Sequence, residues 1–226
     1  TGAAYVLARY RNVWIDVGLF LVLMLQVLPA SLMITPIFVL FTLTNVDVLL
    51  ARLYLTEAQS GEYAFGVLLA KIAFFLPNAI VIVLFPKMTS ANSRRAVYVA
   101  TALTAFVGLC ITSFSFFFGD FVIRVLGGTQ YPDLGSEAWL FALEGSLFAI
   151  VQVLLYARLA TQDRSAVLAV WVALIVLVVI VAGWRHDSVA QIVTTVVVVS
   201  LALAIVGLVM DRRHAPAVPI PVESAE

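Results

Sequence analysis

The sequence predicts an all-α membrane protein, a bundle of about six transmembrane helices. Of its 226 residues, 63% are hydrophobic and 12% are charged, and the mean hydropathy is +1.10. A soluble domain carries about 25% charged residues and about 45–50% apolar ones. Strands do not explain the apolar stretches, because membrane barrels use alternating segments of about ten residues. The stretches in this chain are longer and apolar on every face.

Six segments reach the length of about 20 apolar residues that a spanning helix needs. The first runs from about residue 17 to 44, can be extended to Leu55, and contains Pro29 and Pro36, which favour a kink or break. The other five lie at about residues 63–85, 96–118, 137–159, 166–184 and 189–210. The last two are nearly featureless and typical of lipid-facing helices. We therefore expect a cytoplasmic segment at residues 1–16, a six-helix bundle at 17–210 and a Pro-rich cytoplasmic tail at 211–226.

The Lys and Arg residues predict the orientation, because cytoplasmic loops carry an excess of them. With the N-terminus inside, nine basic residues fall on the cytoplasmic side: Arg9, Arg11, Lys87, Arg94, Arg95, Arg158, Arg164, Arg212 and Arg213. Three fall on the opposite side: Arg52, Arg124 and Arg185. Reversing the topology would invert this ratio. The sequence therefore favours a multi-pass protein with both termini in the cytoplasm.

Several function classes find no support in the residues. The formal net charge is zero, so the charge balance gives no reason to expect a nucleic acid partner. The single cysteine, Cys110, lies in an apolar run and is expected to be a small buried hydrophobe. The chain has no nucleotide-binding loop, HExxH or GxSxG motif, and its two histidines, His186 and His214, flank the segments. The sequence therefore predicts neither an enzyme nor a cofactor or metal site.

Two acidic residues are predicted within apolar stretches. An ionisable group at the bilayer centre costs about 2.5–3.5 kcal/mol on insertion scales, so it normally faces a protein interior or a water-filled cavity. Asp47 is embedded if the first helix continues to Leu55, where it would bind a proton or cation or pair with a cationic group. Its alternative is an interfacial position at a helix end. Glu144, in the fourth segment, is expected either to pair with Lys71 or Arg52 or to be a tolerated, protonated Glu.

Two basic residues are the matching candidates for contact with a substrate. Lys71 lies eight residues into the second segment, and Asn78, seven residues later, shares almost the same helix face. Lys71 therefore either faces a cavity or extends along the helix to the membrane surface. Arg52, five residues after Asp47, is either a substrate contact or an interfacial arginine.

Small residues recur at a spacing that permits close helix packing. They occur as Gly66 with Ala70 in the second segment and as Gly145 with Ala149 in the fourth. Such spacings are common by chance in Ala-rich helices, so this pattern alone predicts little.

Short motifs along residues 45–87 carry a family resemblance. They read Asn-Val-Asp at 45–47, Gly-Glu-Tyr at 61–63 and Leu-Phe-Pro-Lys at 84–87, and Gly-Gly-Thr-Gln-Tyr follows at 127–131. This order resembles the C-terminal half of bacterial polysaccharide-biosynthesis flippases of the Wzx type. Their superfamily also holds multidrug (MATE) exporters and the peptidoglycan lipid flippase MurJ. The match is specific over about 40 residues, general over the remainder, and contains no catalytic signature.

The resemblance implies the second bundle of a twelve-to-fourteen-helix transporter in the bacterial cytoplasmic membrane. The missing N-terminal bundle would come from the same chain, of which this sequence would be the later part, or from a second copy. The substrate would be an oligosaccharide on a polyprenyl pyrophosphate carrier, moved by alternating access. Lys71, Arg52 and Asn78 would bind this substrate, the two cations offsetting the diphosphate charge. Asp47 and Glu144 would carry a coupling ion or balance charge.

Three alternatives remain at this point. A MATE-like, cation-coupled exporter of small molecules would use acidic residues in its cavity. A non-transporting membrane subunit of a polysaccharide-synthesis complex would have ionisable groups only at helix ends. A membrane glycosyltransferase would need clustered acids in a loop, and Asp120, Asp133 and Glu137 form at best a loose set.

Overall fold

A computed structural model describes residues 38–77, 93–127, 131–160 and 165–213, and all regular structure within these ranges is helical. The chain divides into two compact units, Thr1–Phe41 and Thr42–Glu226. The architecture below is that of the second unit. Predictions for residues 1–37, including Pro29 and Pro36, lie outside the described residues, as do those for Asn78, residues 84–87 and most of the tail.

The described helices are named in chain order. Helix α1 occupies residues 38–54. It is followed by α2 (Glu57–Phe75), α3 (Ser93–Phe117), α4 (Gly119–Gly127), a 3-10 turn (Pro132–Ser136), α5 (Ala138–Ala160), α6 (Ser165–Trp184) and α7 (Val189–Arg213). Four of these helices are long and apolar enough to cross a membrane: α3, α5, α6 and α7. They match the third to sixth predicted segments to within three residues at each end. The protein is thus a helical protein of the membrane type.

The first two predicted segments need adjustment. The extension of the first segment towards Leu55 is confirmed, because α1 is helical through residue 54 and the Leu55 N–H still donates to the Ala51 carbonyl, 2.9 Å away. The second helix begins at Glu57, six residues before the predicted start. Thr56 and Gln59 form a reciprocal cap there, in which each side chain accepts a hydrogen bond from the other residue's backbone N–H.

Helix α5 is the central element of the bundle. It packs against α2, α3 and α7. Of the apolar stretch of α5 that is long enough to cross a membrane, 78% is buried inside the protein. The same fraction is 28% for α3 and for α6 and 50% for α7. The prediction that the last two segments face lipid therefore fits α6. One side of this helix packs on α7, and most of the remaining surface is exposed. Helix α7 is half enclosed, because it lies between α6 and α5.

Small residues of the two spaced pairs lie where α2 and α5 come closest to each other. A side chain added at Gly66 would meet the Phe141 ring 2.5 Å away, and one added at Gly145 would collide with the backbone carbonyl of Ala70. Glycine at both positions therefore lets the two helix axes approach closely. Ala149, the fourth residue of the pattern, is buried.

One core prediction is wrong. Cys110, expected to be buried, lies exposed on α3. Hydrophobic residues of a membrane helix need no protein partner on the side that faces lipid, so apolar surroundings in the sequence do not predict burial in the fold.

Candidate functional site

Three helices bring together a buried polar cluster. Asp47 of α1, Tyr63 of α2 and Glu144 of α5 have exposed fractions of 0%, 0% and 1%. The Tyr63 hydroxyl donates a hydrogen bond to Asp47 Oδ2 at 3.0 Å. The sequence predicts Asp47 as an embedded carboxylate, whereas it indicates Tyr63 only as part of the Gly-Glu-Tyr motif. We call these three residues the acid cluster.

The two carboxyl groups of the acid cluster lie within hydrogen-bonding reach of each other. Asp47 Oδ1 and Glu144 Oε2 are both buried and receive no hydrogen bond from a donor among the described residues. Ionised carboxylates only accept hydrogen bonds, so a bond between them requires a bound proton. A small cation between the two oxygens would have the same bridging effect. The arrangement is therefore chemically suited to hold a proton or a small cation.

Packing between α2 and α5 sets the position of the acid cluster. Phe141, one turn before Glu144, makes an edge-to-face contact with Tyr63, with ring centroids 5.3 Å apart and planes at 72°. Gly66, one turn after Tyr63, leaves room for that Phe141 ring. Because an aromatic ring and a close backbone approach enclose the cluster, bulk water has no direct access to the carboxyl oxygens.

The sequence left two alternatives for Glu144, pairing with Lys71 or Arg52 or a tolerated, protonated Glu. The structure brings Glu144 to Asp47 rather than to Lys71 or Arg52, both of which are exposed. The physical reason is the rotation of α1. Asp47 and Arg52 are five residues apart and hence about 140° apart around the helix axis, so they cannot both face α5.

Lys71 lies on the exposed side of α2 and contacts α1. Its Nζ donates to Asn45 Oδ1 at 3.3 Å, and Asn45 Nδ2 donates to Thr44 Oγ1 at 3.2 Å. Lys71 is 14 residues beyond Glu57, which places it about 21 Å along the axis from the start of α2.

Arg52 lines an open cleft of about 570 Å³ between the end of α1 and the start of α2. Asn45 and Arg52 are seven residues apart, so they share one face of α1 and lie about 10 Å apart along its axis. Lys71, bound to Asn45, therefore belongs to the same side of the α1–α2 hairpin as Arg52. We call Asn45, Arg52 and Lys71 the basic surface. The cleft is lined by Val48, Arg52, Leu55, Glu57, Ser60, Gly61 and Ala64.

Tyr131, the residue before the 3-10 turn, contacts the same hairpin. The Tyr131 ring stacks on Phe65 of α2, with centroids 5.1 Å apart and planes at 27°. A side chain added at Gly61 would lie 3.6 Å from the Tyr131 hydroxyl, and one at Gly127 would collide with the Phe65 ring. Two motifs that are far apart in the sequence thus meet on α2.

Among the described side chains, the acids outside the candidate spans do not form a common site. Glu137, at the start of α5, is half-buried, and burial followed by the negative charge of Glu62 raises the pKa of its carboxyl above the ordinary 4.5. Asp120 instead lies against Gly135. The side chain of Asp133 lies outside the described residues. Within the described part of the chain, no group of three His, Cys, Asp or Glu residues is placed to hold a metal ion.

Comparison of the sequence and fold with family models, curated proteins and solved structures finds no match. The resemblance in the short motifs therefore remains a prediction. Among the described residues, the firm result is a helical membrane-type bundle with a buried acid cluster and an exposed basic surface.

Proposed function

We propose that this chain is one bundle of a transporter that moves a polyprenyl-pyrophosphate-linked oligosaccharide across the bacterial cytoplasmic membrane. The observation that carries the proposal is the basic surface. Two cations, Lys71 and Arg52, share one side of the α1–α2 hairpin, and Arg52 borders an open cleft.

The chemistry of the substrate matches this surface. A diphosphate cannot enter hydrocarbon without its charge being offset, whereas its polyprenyl tail can remain in the lipid. Lys and Arg bind phosphate oxygens through charge-assisted hydrogen bonds. Because Asn45 already orients the Lys71 ammonium by a hydrogen bond, an incoming diphosphate would find this donor positioned rather than freely rotating.

In this proposal the acid cluster couples transport to an ion. Asp47 and Glu144 would exchange a proton or a small cation as the bundles rock between inward-open and outward-open states. In this proposal both termini lie in the cytoplasm. The N-terminal bundle, from the same chain or from a second copy, would face the basic surface and complete the cavity.

The alternatives fit the described residues less well. An organic cation would need acidic groups in an open cavity, but Asp47 and Glu144 are enclosed by packing. A non-transporting subunit would carry ionisable groups at helix ends only, whereas Glu144 lies in the interior of α5.

The test is complementation of a flippase-deficient strain by the full-length protein carrying Lys71→Ala. We expect cell-surface polysaccharide to be lost and the lipid-linked precursor to accumulate, while the amount of protein in the membrane stays normal. Lys71→Arg should retain much of the activity because it keeps the charge.

Leu68→Ala is the matched control, because Leu68 is also exposed on α2 but carries no charge. It should complement fully. Full complementation by a Lys71→Ala/Arg52→Ala double variant would overturn the role of the basic surface.

A further inference from the structure

Helix α4 has the sequence Gly-Asp-Phe-Val-Ile-Arg-Val-Leu-Gly. Its charged, apolar and buried residues fall on three different sides of the helix. At about 100° per residue, Asp120 and Arg124 fall together, and Phe121 and Val125 fall about 100° further round the axis. The third side, around Ile123, is buried against the protein. Helix α4 is therefore amphipathic on the surface that the protein leaves uncovered.

The uncovered apolar side of α4 is large for its length. Phe121 is 58% exposed and Val125 is 66% exposed. These side chains continue onto the end of α3, where Phe117 is 75% exposed and Phe116 stands 5.9 Å from the ring of Trp139. An apolar patch of this kind marks an interaction surface. Its continuity with a candidate membrane span argues for lipid, rather than another protein, as the neighbour on that side.

The length of α3 places α4 at the membrane boundary. Arg95 and Phe117 bound the apolar window of α3. The 23 residues from Arg95 to Phe117 extend over about 33 Å, close to the hydrocarbon thickness of about 30 Å. With Arg95 at one surface, the chain leaves the hydrocarbon at the opposite surface, where α4 begins.

Glycines fix α4 to the bundle at that boundary. A side chain at Gly119 would collide with the carbonyl of Gly135 in the 3-10 turn. The backbone of this turn therefore packs directly against the backbone at the start of α4. At the other end of α4, Gly127 lies against Phe65 of α2. The orientation of α4 is thereby set by the protein, and its apolar side is held in one direction.

We infer that α4 is an interfacial helix that anchors this corner of the protein to one leaflet of the bilayer. Phe121 and Val125 lie at the boundary of headgroups and acyl chains, and Asp120 and Arg124 face water and the headgroups. This inference requires a membrane but does not depend on what the protein transports.

The experiment uses full-length protein with Cys110→Ser, reconstituted in liposomes of phosphatidylethanolamine and phosphatidylglycerol. Single nitroxide labels are placed at Phe121→Cys and Val125→Cys, and their collision rates with oxygen, which dissolves in lipid, and with a water-soluble nickel complex are measured. We expect oxygen access to exceed nickel access several-fold at both positions. Arg124→Cys is the matched control on the charged side and should show the reverse, whereas Leu109→Cys on the exposed side of α3 should behave as lipid-facing.

Two outcomes would overturn the inference. Nickel access at positions 121 and 125 equal to that at 124 would show that the patch faces water. Low access to both reagents, with a strongly immobilised label, would show that another protein surface covers the patch instead of lipid. Two labelled positions keep the result interpretable if one substitution disturbs folding.

Discussion

On α1, Asp47 of the acid cluster and Asn45 and Arg52 of the basic surface face different sides, and the two groups are built in different ways. Asp47 is enclosed by three helices, and its environment depends on the contact of α2 with α5. Lys71 is exposed and depends on a single hydrogen bond to the neighbouring Asn45. Buried polar groups must be satisfied by the fold, whereas exposed ones can adapt to a ligand. The acid cluster is thus part of the packing, and the basic surface is available for binding.

The largest expected effect comes from disrupting the helix contact that encloses the acid cluster. Gly145→Ala would place a methyl group against the backbone of Ala70, which cannot move aside as a flexible side chain can. We expect a destabilisation of about 1–3 kcal/mol, measured as a lowered midpoint of thermal denaturation in detergent. Gly183→Ala is the control, since nothing lies within 4 Å of the added methyl group there. Equal stability of the two variants would show that α2 and α5 are not in close contact.

Truncating one residue of the acid cluster and one of the basic surface compares the two regions directly. Asp47→Ala would leave the buried Tyr63 hydroxyl without its acceptor, which costs about 1–3 kcal/mol. Lys71→Ala, at an exposed position, should change stability by less than about 0.5 kcal/mol. Both are measured as free energies of unfolding in the same detergent. Asp47→Asn, which retains an acceptor for Tyr63, should recover most of the loss; a large effect of Lys71→Ala on stability would contradict the distinction.

The smallest expected effect concerns Glu137, which lies outside both regions. Burial and then Glu62 raise the pKa of its carboxyl above 4.5 in the folded protein. The folded state therefore binds the proton more tightly than the unfolded state, and the stability from this group is lost as the pH rises above 4.5 through the folded pKa. Glu137→Gln should flatten this part of a plot of melting temperature against pH. An unchanged slope in Glu137→Gln would refute the assignment.

Local patterns were sufficient for the helices but not for all of their ends. Helices α3, α5, α6 and α7 follow directly from runs of apolar residues, because the cost of placing a polar backbone in hydrocarbon acts on each segment by itself. The start of α2 was missed although a signal was present. Thr56 and Gln59 have the spacing of a reciprocal cap. The residues around them are polar, and a search for apolar runs therefore did not predict that the helix begins at Glu57.

By itself, the sequence determined that the protein is helical and of the membrane type, and it predicted that Asp47, Glu144 and Lys71 lie within apolar stretches. Both properties depend on the transfer of single segments or side chains from water to hydrocarbon, which composition and position determine. Only the tertiary structure decided that Glu144 meets Asp47 and Tyr63, that Lys71 meets Asn45, and that Cys110 is exposed. These outcomes depend on how each helix is rotated about its axis against residues far away in the chain, and small residues such as Gly66 and Gly145 set that rotation through contacts that no local pattern specifies.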